Sequence, residues 1–204
     1  MKTITMKTKW EDITYSEFVM IDQIFSADIP ENYKESNLIA VLTGEEEDTI
    51  ASLPAMSFQK LVNKLKFLLD PPKKTKHKKN YTVNGHKYIL QGDLTKITTA
   101  QYIDYMSYTK EDMTNLSKLT SVFLIPEGHN YNDGYEMCEV QRDVEDMPFL
   151  DVQAICFFMQ TQLALYMIAT ADSLERDLKK QGKSKKEIEA QTASLRSTAL
   201  RLLS

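Results

Sequence analysis

Apolar residues recur along the chain with two periods, and the switches between them mark the elements. Thr14-Tyr-Ser-Glu17 has the form of a capping box, whose hydroxyl and carboxylate satisfy the backbone N–H groups that a helix start leaves open. Phe18, Ile21, Ile24 and Phe25 follow at helical spacing, so a first helix runs to about Ser26. Before it, Met1 to Trp10 alternates loosely and reads as a short strand or an extended arm. A second helix starts near Pro30, carries Leu38, Val41 and Leu42, and stops at Gly44, the residue type that helix C-caps favour. Asp48 to Leu53 reads as a short acidic-headed helical turn before Pro54. Ser57 is placed to cap a third helix with the face Phe58, Leu61, Leu65 and Leu68, which Pro71-Pro72 ends.

The period then changes to two. Tyr81-Thr-Val83 and His86 to Leu90 flank Asn84-Gly85, the dipeptide that favours type I′ hairpin turns. A lone hairpin is marginal in water, so it must pack on helices or pair with a further strand, from the N-terminal arm or from another subunit. Helical spacing returns from Thr98 with Tyr102, Ile103, Tyr105 and Met106, then with Leu116, Leu119, Val122 and Phe123 up to Pro126-Glu-Gly128. His129 to Tyr135 is a polar loop, and Val140 to Asp146 has the length of a short helix. Pro148 opens a long apolar helix to about Lys180, and Gln181-Gly182 breaks it. Ser184-Lys-Lys-Glu187 is a second capping box, and it starts a terminal helix. That helix carries an apolar stripe of Ile188, Leu195, Ala199 and Leu202, which should lie on the rest of the protein or on a partner. The expected fold is mainly α: a helical bundle with one small β-hairpin at about residues 81–90 and a C-terminal helical arm. One mostly helical domain over 1–180, with a lysine-rich loop at 71–80, precedes a C-terminal helix at 181–204.

Composition agrees with this reading. Six glycines in 204 residues is under half of average usage, about 7 %, which disfavours turn-rich β folds and glycine-lined phosphate loops. Ten methionines, among them Met20, Met106, Met159 and Met167 on expected helices, supply soft and adaptable apolar surface. Two cysteines and no apolar stretch among the first ten residues lead us to expect an intracellular protein without disulfides. The long helix from Pro148 is interrupted by Asp151, Gln153, Gln160 and Gln162, so it reads as a buried helix or an oligomer interface and not as a membrane span.

Charge is uneven. Lys73, Lys74, Lys76, Lys78 and Lys79 place +5 in seven residues, leaving the rest of a chain of net −4 at −9. Such a run reads first as a solvated loop and second as a polyanion contact, aided by nearby Tyr81. Catalytic chemistry is hard to find. His77, His86 and His129 lack metal-ligand spacing to one another or to either cysteine, so a zinc site would need distant residues. Asp133-Gly134 matches part of a calcium loop, but Val140 stands where the closing Glu belongs. There is no GxSxG elbow and no Gly-rich phosphate loop, and the carboxylates read as surface charges. Tyr102, Tyr105 and Tyr108 suit core or interface packing better than base stacking. We therefore expect no catalytic residues, no metal and no cofactor.

An ordered series of short motifs carries a resemblance. It comprises Asp12-Ile-Thr-Tyr-Ser-Glu-Phe18, Ala40-Val-Leu-Thr-Gly44, Leu53-Pro54 before Phe58-x-x-Leu61, and Val83-Asn-Gly85 with Tyr88. Gln101-Tyr-Ile-Asp104, Ile125-Pro-Glu-Gly128 and Asp133-Gly-Tyr135 complete it. The series resembles the tail assembly chaperones encoded by tailed bacteriophages, over about residues 10 to 180. The resemblance implies a non-enzymatic, oligomer-forming protein of the host cytoplasm that binds the long helical tape-measure protein. Its motifs are structural, so it assigns no site residues, and the lysine run and the helix from Ser184 lie outside the matched pattern. We expect partner contact through Phe149, Val152, Ile155, Phe158, Met159, Leu163, Tyr166 and Met167 of the apolar helix, and through the terminal stripe. The alternative class is a structural virion component, a head, connector or tail subunit; a nucleic-acid-binding accessory protein is third.

Overall fold

In the computed structural model, which describes residues 4–111, 115–131 and 133–203, an extended arm leads into a 3-10 turn at Trp10–Asp12 and then α1, Tyr15–Ser26. Thr14 caps α1 through the expected box: Glu17 N donates to its hydroxyl, and the Glu17 carboxylate accepts from Thr14 N at 2.9 Å. Lys7 Nζ reaches the same carboxylate at 2.6 Å, which ties the arm to the helix start. Met1 to Thr3 of the arm, and Ser204 at the end of the expected terminal helix, lie outside the described residues. α2 spans Glu31–Thr43 and ends at Gly44, whose φ of 68° is the left-handed conformation that lacks a Cβ penalty in glycine. α3 is Glu47–Ala51 and α4 is Ala55–Val62. Here the structure corrects the expected start, because α4 begins after Pro54 and Ser57 sits inside its first turn. The rest of that segment, Asn63–Leu69, tightens into a 3-10 helix.

β1 (Asn80–Val83) and β2 (His86–Leu90) form the expected hairpin, with Asn84 and Gly85 both at positive φ in the turn. A third antiparallel strand, β3 (Leu124–Pro126), pairs with β2, with Tyr88 opposite Pro126 and Leu90 opposite Leu124. The strand partner thus comes from the segment expected to end a helix, and not from the N-terminal arm. α5 (Thr99–Glu111) precedes α6 (Leu116–Ser121), and α7 is Met137–Asp146. α8 runs from Phe149 to Lys180, and α9 from Lys185 to Leu203 folds back along it after Gly182. With 65 % of residues helical, the protein is mainly α with a small sheet.

Two apolar clusters meet at an aromatic seam. Ile13, Ile21, Ile39, Leu42 and Ile50 centre the first, among α1 to α4. The second packs the inward faces of the sheet, Tyr81, Val83, Tyr88 and Leu90, against Val122 to Leu124, α7 and the first half of α8. Trp10 and Phe18 touch both clusters, and Phe18 stacks on Phe149 with ring centres 3.7 Å apart. Backbone bonds Tyr15 N to Met147 O and Phe149 N to Ile13 O, both 2.8 Å, lock the starts of α1 and α8 together.

Candidate functional site: a groove beside the long helix

At 32 residues α8 extends about 48 Å. A sphere with the radius of gyration expected for this chain length, about 17 Å, is about 43 Å across, so the helix spans the full width of the body. The stripe that builds the core, Phe149, Val152, Ile155, Met159 and Leu163, continues two turns further as Tyr166, Met167 and Thr170. There the sheet and α6 no longer cover it. Leu94 and Ile97 from the loop before α5, Tyr102 from α5 and Leu195 from α9 stand on either side. Together they line a groove of about 610 Å³ in which no side chain is charged. Tyr166 is 52 % exposed and Tyr102 39 %, so two aromatic rings with polar tips are open to solvent at this groove. Such a groove can hold the apolar face of an amphipathic helix.

The expected contact residues divide accordingly. Phe149, Val152, Ile155, Met159 and Leu163 are buried within the protein's own core. Phe158 is partly covered by the His77 ring, Met167 packs toward α9, and Tyr166 is the member most open to solvent. Phe157 and Leu165, about half exposed on the same helix, were not among the expected residues. The terminal stripe lies on α8: Ile188 and Ala199 are buried, and Leu195 and Leu202 are half-buried. Ala164, Ala171 and Ala199 are completely buried, and their small side chains let the two helices approach closely. Arg196 bridges Asp172 at 3.0 Å and Glu175 at 2.5 Å, fastening the outer edge of this helix pair. Of the described helices, α8 is long and apolar enough to cross a membrane by length and composition, and 44 % of its most apolar stretch is buried inside the fold.

The most concentrated polar chemistry lies elsewhere, where the hairpin turn meets α7. The buried Asp143 carboxylate accepts from Tyr88 Oη and from Asn84 Nδ2 at 3.0 Å, and lies 2.6 Å from His86 Nδ1. Asn84 also donates to Asp146 at 2.8 Å. Burial drives the Asp143 carboxyl upward, but the bonds from Tyr88, His86 and Asn84 outweigh it and hold the group below the usual carboxylate range. Burial and then the Asp143 bond push the Tyr88 hydroxyl far above its ordinary value. A carboxylate–imidazole pair of this kind can orient a general base. Among the described residues, however, no serine, threonine or cysteine is hydrogen-bonded to it, and its evident effect is to clamp the hairpin onto α7. Burial raises the Cys156 thiol to about 11, which keeps it protonated and unreactive at neutral pH. Among the described residues no group of three or more His, Cys, Asp or Glu side chains could hold a metal ion.

The sequence showed that the apolar stripe of α8 runs on past Leu163, but not which side of it stays open, because that depends on where α5 and α9 pack. No family model matches the chain, and no curated protein or solved structure matches it either.

Proposed function

We propose that the protein is a non-enzymatic assembly factor that holds a helical client segment in the groove between α5, α8 and α9. The observation that carries this reading is the uncharged groove formed where the core stripe of α8 runs past the covered body. Apolar contact there, through Leu94, Ile97, Tyr102 and Tyr166, suits a coiled-coil partner that is insoluble alone. The motif series resembling phage tail assembly chaperones makes the tape-measure protein of a tailed bacteriophage the client, met in the host cytoplasm.

Co-expression with a tape-measure protein tests this. The wild-type protein is expected to co-purify with the client and raise its soluble fraction, and the Tyr102→Asp/Tyr166→Asp double variant to do neither. Both side chains are exposed, so the variant should fold. Failure of the wild type to co-purify or solubilise the client would overturn the reading. One observation favours a virion subunit instead: Leu200 and Leu203 of α9 are 66 % and 49 % exposed, an edge suited to joining subunits. Mass spectrometry of purified particles separates the two, since a subunit is present there in stoichiometric amount and a chaperone is absent.

A further inference from the structure

The lysine segment has no helix or strand, yet it is fastened along the first half of α8. Thr75 Oγ1 donates to Leu150 O at 3.0 Å, and Lys78 Nζ meets Asp151 Oδ2 at 2.8 Å. The His77 ring stacks on Phe158 with centres 3.8 Å apart, and Lys78 N donates to Tyr81 Oη at 2.8 Å. Among the described residues, Lys78 is the one lysine of the five with a carboxylate within 4 Å. Lys73, Lys74, Lys76 and Lys79 are exposed and free of ion pairs there. A solvated loop would lose much freedom on binding, whereas a fastened ridge already holds its charges in place.

Aromatic surface accompanies the ridge. Phe157 is 49 % exposed, with the Lys74 ammonium over its ring at 5.5 Å from the centre, so a base can take that face as Lys74 moves to a phosphate. Lys74, Phe157, Gln160, Thr161 and Arg201 border a cleft of about 370 Å³ between the ridge, α8 and the last turn of α9. This surface shares no lining residue with the client groove.

We propose that this ridge and cleft bind single-stranded nucleic acid, with Lys73, Lys74, Lys76 and Lys79 on phosphates and a base stacked on Phe157. A stacking ring needs an unpaired base, which a duplex does not offer. An acidic peptide would meet the lysines but leave the ring and cleft without a flat partner. The acidic balance of the chain is no obstacle, because charges beyond about 8 Å are screened at physiological salt and the local field is that of the lysines.

Titration of labelled twenty-residue oligothymidylate and oligouridylate, by fluorescence anisotropy over a range of salt, tests the proposal. Both are expected to bind at about 50 mM salt, with affinity falling as a power of salt concentration near −3, the value for four phosphates on a single strand. Preference for one over the other assigns DNA or RNA. The Lys73→Gln/Lys74→Gln/Lys76→Gln/Lys79→Gln variant should bind at least tenfold more weakly and lose most of the salt dependence. Phe157→Ala should weaken binding about tenfold and leave the salt dependence intact. All these side chains lie outside the core, so a far-ultraviolet spectrum unchanged from wild type is expected for both variants. No binding of either oligonucleotide, or unchanged binding by the lysine variant, would overturn the proposal. So would competition by polyglutamate as effective as that by unlabelled oligonucleotide, which assigns the ridge to an acidic protein.

Discussion

At Asp143 one carboxylate decides how the hairpin sits. Replacing it with Ala leaves the Tyr88 hydroxyl buried without its acceptor and His86 without its partner, while Asn84 keeps its bond to Asp146. A cost of about 1–3 kcal/mol is expected in urea unfolding. The pH dependence has a definite sign. Asp143 is held below its unfolded value, so its contribution is complete above the ordinary carboxylate range and is lost as the pH falls through the depressed value. Asp143→Asn should therefore flatten part of the fall in Tm as the pH drops below the ordinary carboxylate range. Gly92 sets a second single-residue constraint. A Cβ there would come 2.7 Å from the Phe158 ring, so Gly92→Ala must swing that ring and disturb its stacking with His77. We expect a modest loss of stability, about 1 kcal/mol, and faster trypsin cleavage among Lys73 to Lys79. None of this was legible beforehand. The lysine run showed its charge, but nothing in the spacing of Thr75 and His77 told that they would fasten it to a helix 75 residues away.

Elements followed the pattern where one face alone is buried. α1 and α9 start at their capping boxes, and α2 and α8 start after a proline and stop beside Gly44 and Gly182, since such signals act within a single turn. Thr14→Ala should cost about 1 kcal/mol by removing one half of the box. β3 was not legible for a physical reason: Val122, Phe123, Leu124 and Ile125 are all buried, and a continuous apolar run has no period to separate strand from helix. The same holds for the 3-10 turns after α4, whose apolar spacing of four and three residues suits either helix. Between α8 and α9 the contact depends on small residues. Ala199→Leu should force the helices apart at the cost of about 1–3 kcal/mol, seen as a lower urea midpoint. Charge reversal at Arg196, exposed at the edge, should cost far less.

For the molecule as a whole, the groove illustrates what a linear pattern leaves out. The apolar helix was plain in the sequence, and so was its candidate role. Which of its faces remained open depended on where β3, α6 and α9 came to rest, and those are long-range contacts. The seam between the two clusters has a further consequence, for the order in which the chain matures. The first cluster draws on residues 6 to 65 and has all its parts once the first third of the chain has been synthesised. Its open side carries Trp10 and Phe18, whose remaining partner, Phe149, emerges far later. During translation the early cluster would display an aromatic surface until α8 arrives and its first turn closes against Ile13 and Tyr15. Because Trp10 is the only tryptophan, its emission is a native reporter of that closure. A fragment ending before Pro148 should emit at longer wavelength than the full chain.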